Sequence, residues 1–374
     1  MSLVGAPITF GREPGSDYPR AIVTRNGTLL ATYLWNDGTT TKIVTKKSPD
    51  QGATWMGPVE VISWDAKLAQ LKNPFLFQTS SGTLLCSYLI REIRSDGKPR
   101  HMTFNVDQST DGGDNGIQGE WEPFLCEDPD GTLQAYYSHE LSPNDQDIVL
   151  RMSNDGGKTW GAFINILGAG VPDVRPGMPQ VLSLDGKGNL LMVYESNAGK
   201  LFRVWAQTST DGGISWGNPH VIFDPRYRGL PEQDGPAELA TGPNAGVPGL
   251  ARVSGLLVVS FMTNQDQPNK DYVDVANLDM KIITSADGGA TWSPPVKVLS
   301  KAGWGGVTAV EGASHTVTRR HTLGLLSEAM ERERHYVKYR LGDNNSDLGE
   351  DSDGSDQICV QEIRRASQQQ YRYY

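Results

Sequence analysis

Ser48-Pro-Asp-Gln-Gly-Ala-Thr-Trp55 decides how the chain is read, because the same eight-residue phrase returns further along it. The later copies are Ser153-Asn-Asp-Gly-Gly-Lys-Thr-Trp160, Ser209-Thr-Asp-Gly-Gly-Ile-Ser-Trp216 and Ser285-Ala-Asp-Gly-Gly-Ala-Thr-Trp292. Another opens at Ser109-Thr-Asp-Gly-Gly113 and reads as stretched by an insertion before Trp121. Repeats of this kind set the architecture before any single residue does. Asp-Gly and Gly-Gly steps supply the positive φ of a tight hairpin turn, and the aspartate accepts hydrogen bonds from the turn's own amides. The tryptophan gives each turn an apolar plug to set between neighbouring sheets. The aspartates are therefore expected to be structural.

Outward from each copy lie short strand-like runs separated by turns. The first unit holds Arg20-Ala-Ile-Val-Thr24, a turn at Arg25-Asn-Gly-Thr28, Leu29-Leu-Ala-Thr-Tyr-Leu34 and Lys42-Ile-Val-Thr-Lys46. The pattern recurs to residue 341, which predicts an all-β chain: a six-bladed β-propeller of four-stranded antiparallel blades. The last unit lacks the phrase, and the amino-terminal Ala6-Pro-Ile-Thr-Phe10 is expected to supply its outer strand and close the ring. Its segment Ala313-Ser-His-Thr-Val-Thr-Arg-Arg320 lacks a clear turn. Residues 1–341 thus read as one catalytic propeller, and residues 342–374, rich in Asp, Ser, Gly and Gln, as a disordered tail.

Composition narrows the function. Net charge is −10 over 374 residues, which disfavours nucleic acid as the main partner. No apolar run is long enough to span a membrane. Cys86, Cys126 and Cys359 show no metal or disulfide spacing, so neither a cofactor nor a metal is expected. The start Met-Ser-Leu-Val-Gly is not a signal peptide. An extracellular, monomeric protein is expected, with a cytoplasmic location left open.

The parity of a meandering blade places candidate residues. The turn into the first strand and the turn out of the second share one face of the ring, and the repeated phrases lie on the other. The first face collects Asp17, Tyr18, Arg20, Asn73, Glu122, Arg175, Met178, Glu238 and Trp304 from strand entries. From strand exits come Trp35, Asp37, Arg91, Glu92, His139, Glu140, Glu195, Asn197, Asn264, Asp266 and Glu328. Carboxylates, amides and aromatics converging on one concavity suit a carbohydrate. Glu122 and Glu195 stand out, since each adjoins an apolar strand. Glycoside hydrolysis needs such a pair, one to protonate the leaving oxygen and one to attack or to activate water.

The repeated phrase resembles the Asp-box, or BNR repeat, of sialidase-like propellers. Trp121-Glu-Pro-Phe-Leu125, Leu133-Gln-Ala-Tyr-Tyr-Ser-His-Glu140, Arg175-Pro-Gly-Met-Pro179 and Met192-Val-Tyr-Glu195 resemble phrases of the fungal exo-1,5-α-L-arabinanases. That resemblance implies a retaining, exo-acting hydrolase releasing arabinobiose from α-1,5-L-arabinan, with Glu122 as acid/base and Glu195 as nucleophile. Retention implies carboxyl groups about 5–5.5 Å apart. Arg20, Asp37, Asn73, Tyr137, Glu140, Met178, Glu238 and Trp304 are the expected substrate-binding residues, and a poly- or oligosaccharide the partner. Tyr18-Pro-Arg20 and Asp37 also resemble sialidase motifs. The fifth unit, however, offers Ser260-Phe-Met-Thr-Asn264 without arginine, and the sixth opens at Trp304-Gly-Gly without tyrosine. A sialidase, or a non-catalytic binding propeller, is the alternative.

Overall fold

The computed structural model describes residues 2–3, 8–11, 13, 16–93, 99–104, 119–198, 200–226, 242–267, 272, 275–311, 321–329 and 334–340. The chain is an all-β propeller. Four of its sheets carry four consecutive antiparallel strands each. The first sheet comprises Ser16–Val23, Leu29–Asn36, Thr40–Ser48 and Met56–Asp65. The third comprises Glu120–Glu127, Leu133–Ser142, Asp145–Ser153 and Ile164–Leu167. The fourth comprises Gly177–Ser183, Leu190–Ser196, Arg203–Ser209 and Gly217–Phe223. The fifth comprises Ala245–Val253, Leu256–Thr263, Asp279–Ser285 and Val296–Ser300.

Two sheets depart from that pattern. The second holds three strands among the described residues, Ala69–Gln78, Leu84–Ile93 and Pro99–Phe104. The sixth holds Ala302–Glu311, His321–Ala329 and Arg334–Arg340, and this last strand pairs with both Ser2–Leu3 and Ile8–Gly11. The first strands of the sheets touch one another in cyclic order, the sixth returning to the first. A narrow axial cavity between them is lined by Ile22, Leu76, Phe124, Val181, Leu250 and Thr308.

The repeated phrase does the same work in each described copy. In Ser153–Trp160 the Ser153 hydroxyl donates to Asp155 Oδ1 at 2.8 Å and accepts the Gly157 amide at 2.9 Å. Asp155 then accepts the Thr159 amide at 2.9 Å and the Thr159 hydroxyl at 2.7 Å. Ser48–Thr54, Ser209–Ser215 and Ser285–Thr291 repeat these bonds. Donors on the ionised form pull Asp50 and Asp287 down to about 2. Each turn also rests on the preceding sheet. Trp55 meets Phe10 with ring centroids 5.0 Å apart, and Trp216 meets Tyr136 edge-on at 6.0 Å.

Trp292 closes the same joint between the fourth and fifth sheets, packed among Leu191, Val193, Val259 and Ile283. Its indole N–H donates to the Gly289 carbonyl at 3.1 Å. Trp292→Ala should therefore destabilise the chain by about 3–5 kcal/mol, read by urea unfolding. A loss well under ~1 kcal/mol would show that the tryptophan is not a structural plug.

Two expectations change, and others fall on residues that the structure does not describe. Trp121 is not the plug of a stretched phrase: it lies in the first strand of the third sheet and donates to Glu140. The phrase opening at Ser109, the tail 342–374, residues 313–320 and Cys359 lie outside the described residues. The first strand of the fifth sheet is Ala245–Val253, not the segment around Glu238. The Gly/Pro-rich sequence there reads as a link, yet its glycines answer to packing. A Cβ on Gly249 would stand 2.8 Å from the Ser260 hydroxyl and 3.0 Å from the Val307 amide.

Candidate active site

Each innermost strand breaks register near the same mouth of the ring. The breaks fall between Asp17 and Arg20, Lys72 and Phe75, Trp121 and Phe124, Gly177 and Gln180, Gly246 and Gly249, and Gly303 and Gly306. Inside each break one non-glycine residue takes a left-handed φ: Tyr18 56°, Asn73 47°, Glu122 51°, Met178 53°, Val247 54° and Trp304 52°. Such bulges re-aim a side chain, and they persist where the surroundings over-determine them. For Val247 the conformation is an outlier, since β-branched residues avoid it. Proline follows five of these residues, at 19, 74, 123, 179 and 248. A bulge on a strand with one free side tolerates the missing amide.

The bulges gather their side chains at the axis. Tyr18, Met178, Val247 and Trp304 share one apolar cluster. Arg20 lies under Tyr18, its guanidinium carbon 3.8 Å from the ring centroid, and donates to the carbonyls of Pro19 and Trp304 at 2.8 and 2.9 Å. The Asn73 side chain hydrogen-bonds the Tyr18 hydroxyl, while its own buried carbonyl oxygen has no partner among the described residues.

Glu122 and Glu195 both border Gly177, and the Glu122 charge acts on Glu195. Gly177 is the ladder partner of Glu195, and a Cβ on it would stand 3.8 Å from Glu122 Oε2. Both carboxylates are half-buried. Glu122 accepts the Ser138 hydroxyl at 3.1 Å and the Met178 amide. Glu195 Oε2 accepts the Val247 amide at 2.6 Å. Burial pushes Glu122 up to about 7, against the pull of Ser138, Arg175 and Arg20. Burial, and then the neighbouring Glu122 charge, push Glu195 up to about 8. Two values this close belong to the pair, which sheds its protons in coupled steps.

A second layer fixes these groups. Arg175 pairs with Glu140 at 2.9 Å and donates to Gln146 at 2.8 Å and to the carbonyls of Ser142 and Pro143 at 2.9 Å. The other Glu140 oxygen accepts the Trp121 indole N–H at 3.0 Å. Glu140 is thus a brace that holds Arg175 near both catalytic candidates.

The remaining expected substrate contacts divide. Arg20, Asn73, Met178 and Trp304 reach the axial cluster or its edge. Tyr137 does not: it is fully buried between sheets, and its hydroxyl accepts Arg151 Nε at 2.9 Å. Its strand alternates faces, and this position faces the core. Asp37 is consumed by its own turn, accepting the amides of Thr39 and Thr40 at 2.9 and 2.7 Å and both hydroxyls. Those donors hold its carboxyl far below the usual range. Glu238 lies outside the described residues.

Two residues absent from the expected set stand at the site. Val247 supplies the amide to Glu195, and the Val247-Pro248 step was the available sign, matching Tyr18-Pro19, Asn73-Pro74, Glu122-Pro123 and Met178-Pro179. Tyr272 comes from the segment between Thr263 and Asp279, where no periodicity marks it.

The BNR repeat-like domain family matches residues 11–222. The chain belongs to the BNR repeat-like domain family. No curated protein matches it. Among solved structures it resembles the Penicillium chrysogenum α-L-arabinanase complexed with arabinobiose, at 20% identity over 89% of this chain and 96% of that one, TM-score 0.57. It also resembles a Dyadobacter fermentans protein of unknown function, at 15% identity over 90% and 98%, TM-score 0.60. A Hadza microbial sialidase matches at 17% identity over 88% of this chain and 66% of that one, TM-score 0.58. Likeness at these identities shows the propeller fold. Among the described residues no group of His, Cys, Asp and Glu could hold a metal ion, and no helix is long and apolar enough to cross a membrane.

Proposed function

We propose that this BNR-repeat protein is a retaining, exo-acting glycoside hydrolase that releases arabinobiose from the ends of α-1,5-L-arabinan. Glu122 acts as acid/base and Glu195 as nucleophile. The observation that carries the reading is that both glutamates border Gly177, the Glu122 charge acting on Glu195 and Arg175 acting on both. The arabinobiose bound in the Penicillium arabinanase of like fold supports the substrate class. The catalytic domain spans residues 1–341 as a six-bladed ring; the cyclic contacts of the first strands and the pairing of the amino-terminal strands with Arg334–Arg340 support that closure. In this reading the protein works as an extracellular monomer.

In the reaction, Glu122 hands its proton to the departing glycosidic oxygen while the Glu195 carboxylate attacks the anomeric carbon, giving a glycosyl ester. Water, deprotonated by Glu122, then cleaves the ester. The sialidase alternative requires arginines offered to a substrate carboxylate. Arg20 instead has its Nη1 bound to two carbonyls beneath Tyr18.

Linear arabinan with product sizing tests the reading: arabinobiose as the first product supports it, and no turnover on arabinan or other furanosides contradicts it. The pH dependence follows from the pair. Turnover needs Glu195 ionised and Glu122 protonated, so the pair must hold one proton. That proton rests mainly on the more basic Glu195, and the active form is the minor arrangement with the proton on Glu122. Below about pH 5 both carboxyls are protonated and attack stops; above about pH 9 both are ionised and the leaving group goes unprotonated. With the two groups pushed up to about 7 and about 8, kcat/KM should peak near neutrality. A plateau continuing to pH 10 would exclude the proposed proton sharing.

A further inference from the structure

Tyr272 is a polar group at this mouth that the reaction above leaves unused. Its hydroxyl is buried and has no hydrogen-bond partner among the described residues. Leaving a buried hydroxyl unpaired is unfavourable, so an orphan of this kind points to a partner acquired in another state. Its position identifies that partner. A Cβ built on Gly246 would stand 2.1 Å from Glu195 Oε2 and 2.5 Å from Tyr272 Oη, so both oxygens border the space that the glycine leaves empty. The Tyr272 ring is held by stacking on Phe202, with centroids 6.4 Å apart and planes at 16°. The Phe202 amide in turn donates to Asn244 Oδ1 at 2.8 Å, and the Asn244 amide to Asn264 Oδ1 at 2.7 Å. The ring is therefore fixed while its hydroxyl hydrogen stays free to rotate.

We propose that Tyr272 is a positioning residue that holds the Glu195 carboxylate in its attacking orientation, as a second donor beside the Val247 amide. The other groups facing Glu195 are Glu122 from the third sheet and Arg175 from the segment before the fourth. Glu122 repels the ionised carboxylate, and Arg175 is already committed to Glu140 and Gln146. A neutral donor on the fifth-sheet side supplies what that arrangement lacks. The consequence for rate rests on the hydrolase reading; the pairing with Glu195 does not.

Tyr272→Phe in the full chain tests this with two readouts. Carboxyl-carbon NMR of glutamate-labelled protein follows the Glu195 titration directly, the resonance being assigned by its loss in Glu195→Gln. Removing a donor to the ionised form should raise the Glu195 midpoint by about 0.5–1 pH unit. The acid limb of kcat/KM should move up equally, and kcat should fall about tenfold. At pH 5, where Glu195 is protonated and draws no bond from Tyr272, the melting temperature should not drop. An unchanged midpoint overturns the inference, whatever the kinetics. A raised midpoint in a chain that turns over no furanoside would retain the pairing and remove only the hydrolase reading.

Discussion

Glutamine in place of Glu195 should abolish turnover of linear arabinan, lowering kcat by about 10⁴-fold or more while substrate binding persists. An amide cannot form the glycosyl ester, and its shape leaves the mouth unchanged. Glu122→Gln should cost about 10²–10⁴-fold, and much less on aryl arabinosides whose leaving group needs no proton. That difference separates the two roles. Both variants should also be more stable than the wild type at pH 8. The folded protein raises both carboxyls above their ordinary value of 4.5, so ionising them opposes folding. The penalty is absent below about pH 4.5, grows as pH rises, and is complete above the folded values near 7 and 8. After allowance for partial solvent access it should reach on the order of 1–2 kcal/mol, recovered by the neutral amide. Variants that are inactive and also less stable at pH 8 would mark the glutamates as structural.

Gly246→Ala should also be strongly damaging, although it adds one methyl group and replaces neither glutamate. The new carbon would stand 2.1 Å from Glu195 Oε2 and 3.1 Å from its Cδ, so the carboxylate must turn away. Turning breaks the Val247 bond and disorders attack on the anomeric carbon, and a misplacement of about 1 Å can cost about 10²-fold. The loss should fall on kcat more than on KM. An alanine variant with wild-type kcat would show that Glu195 does not need this seat. Gly177→Ala is the companion case, since its Cβ would stand 2.6 Å from Gln146 Nε2 and 3.2 Å from the Ser138 hydroxyl that serves Glu122.

The turns were legible because their chemistry is local. Ser153, Asp155, Gly157 and Thr159 lie within seven consecutive positions, and every bond of the motif is made inside them. The bulges were half legible. Tyr18, Asn73, Glu122, Met178 and Trp304 could be placed at strand entries, but Val247 hid in a Gly/Pro-rich run that looked like a link. Pattern reading assigns glycine and proline to turns. Here the glycines clear space for Glu195 and Ser260, and the proline follows a bulge. Tyr137 misled because alternation along a strand fixes a face only once the register is known. Asp37 misled because an exposed aspartate at a strand exit serves its own turn as readily as a ligand. Tyr272 was beyond reach: its neighbours in the site, Glu195 and Gly246, come from other strands.

The account depends on Glu195 forming a bond to sugar. An arabinofuranoside with an activated leaving group and a 2-fluoro substituent slows breakdown of that ester, allowing it to accumulate. Incubation with the wild-type chain, followed by peptide mass analysis, should find one pentosyl adduct on the peptide containing Glu195 and none in Glu195→Gln. An adduct on another residue, or turnover of the natural substrate with the anomeric configuration inverted, would contradict the account.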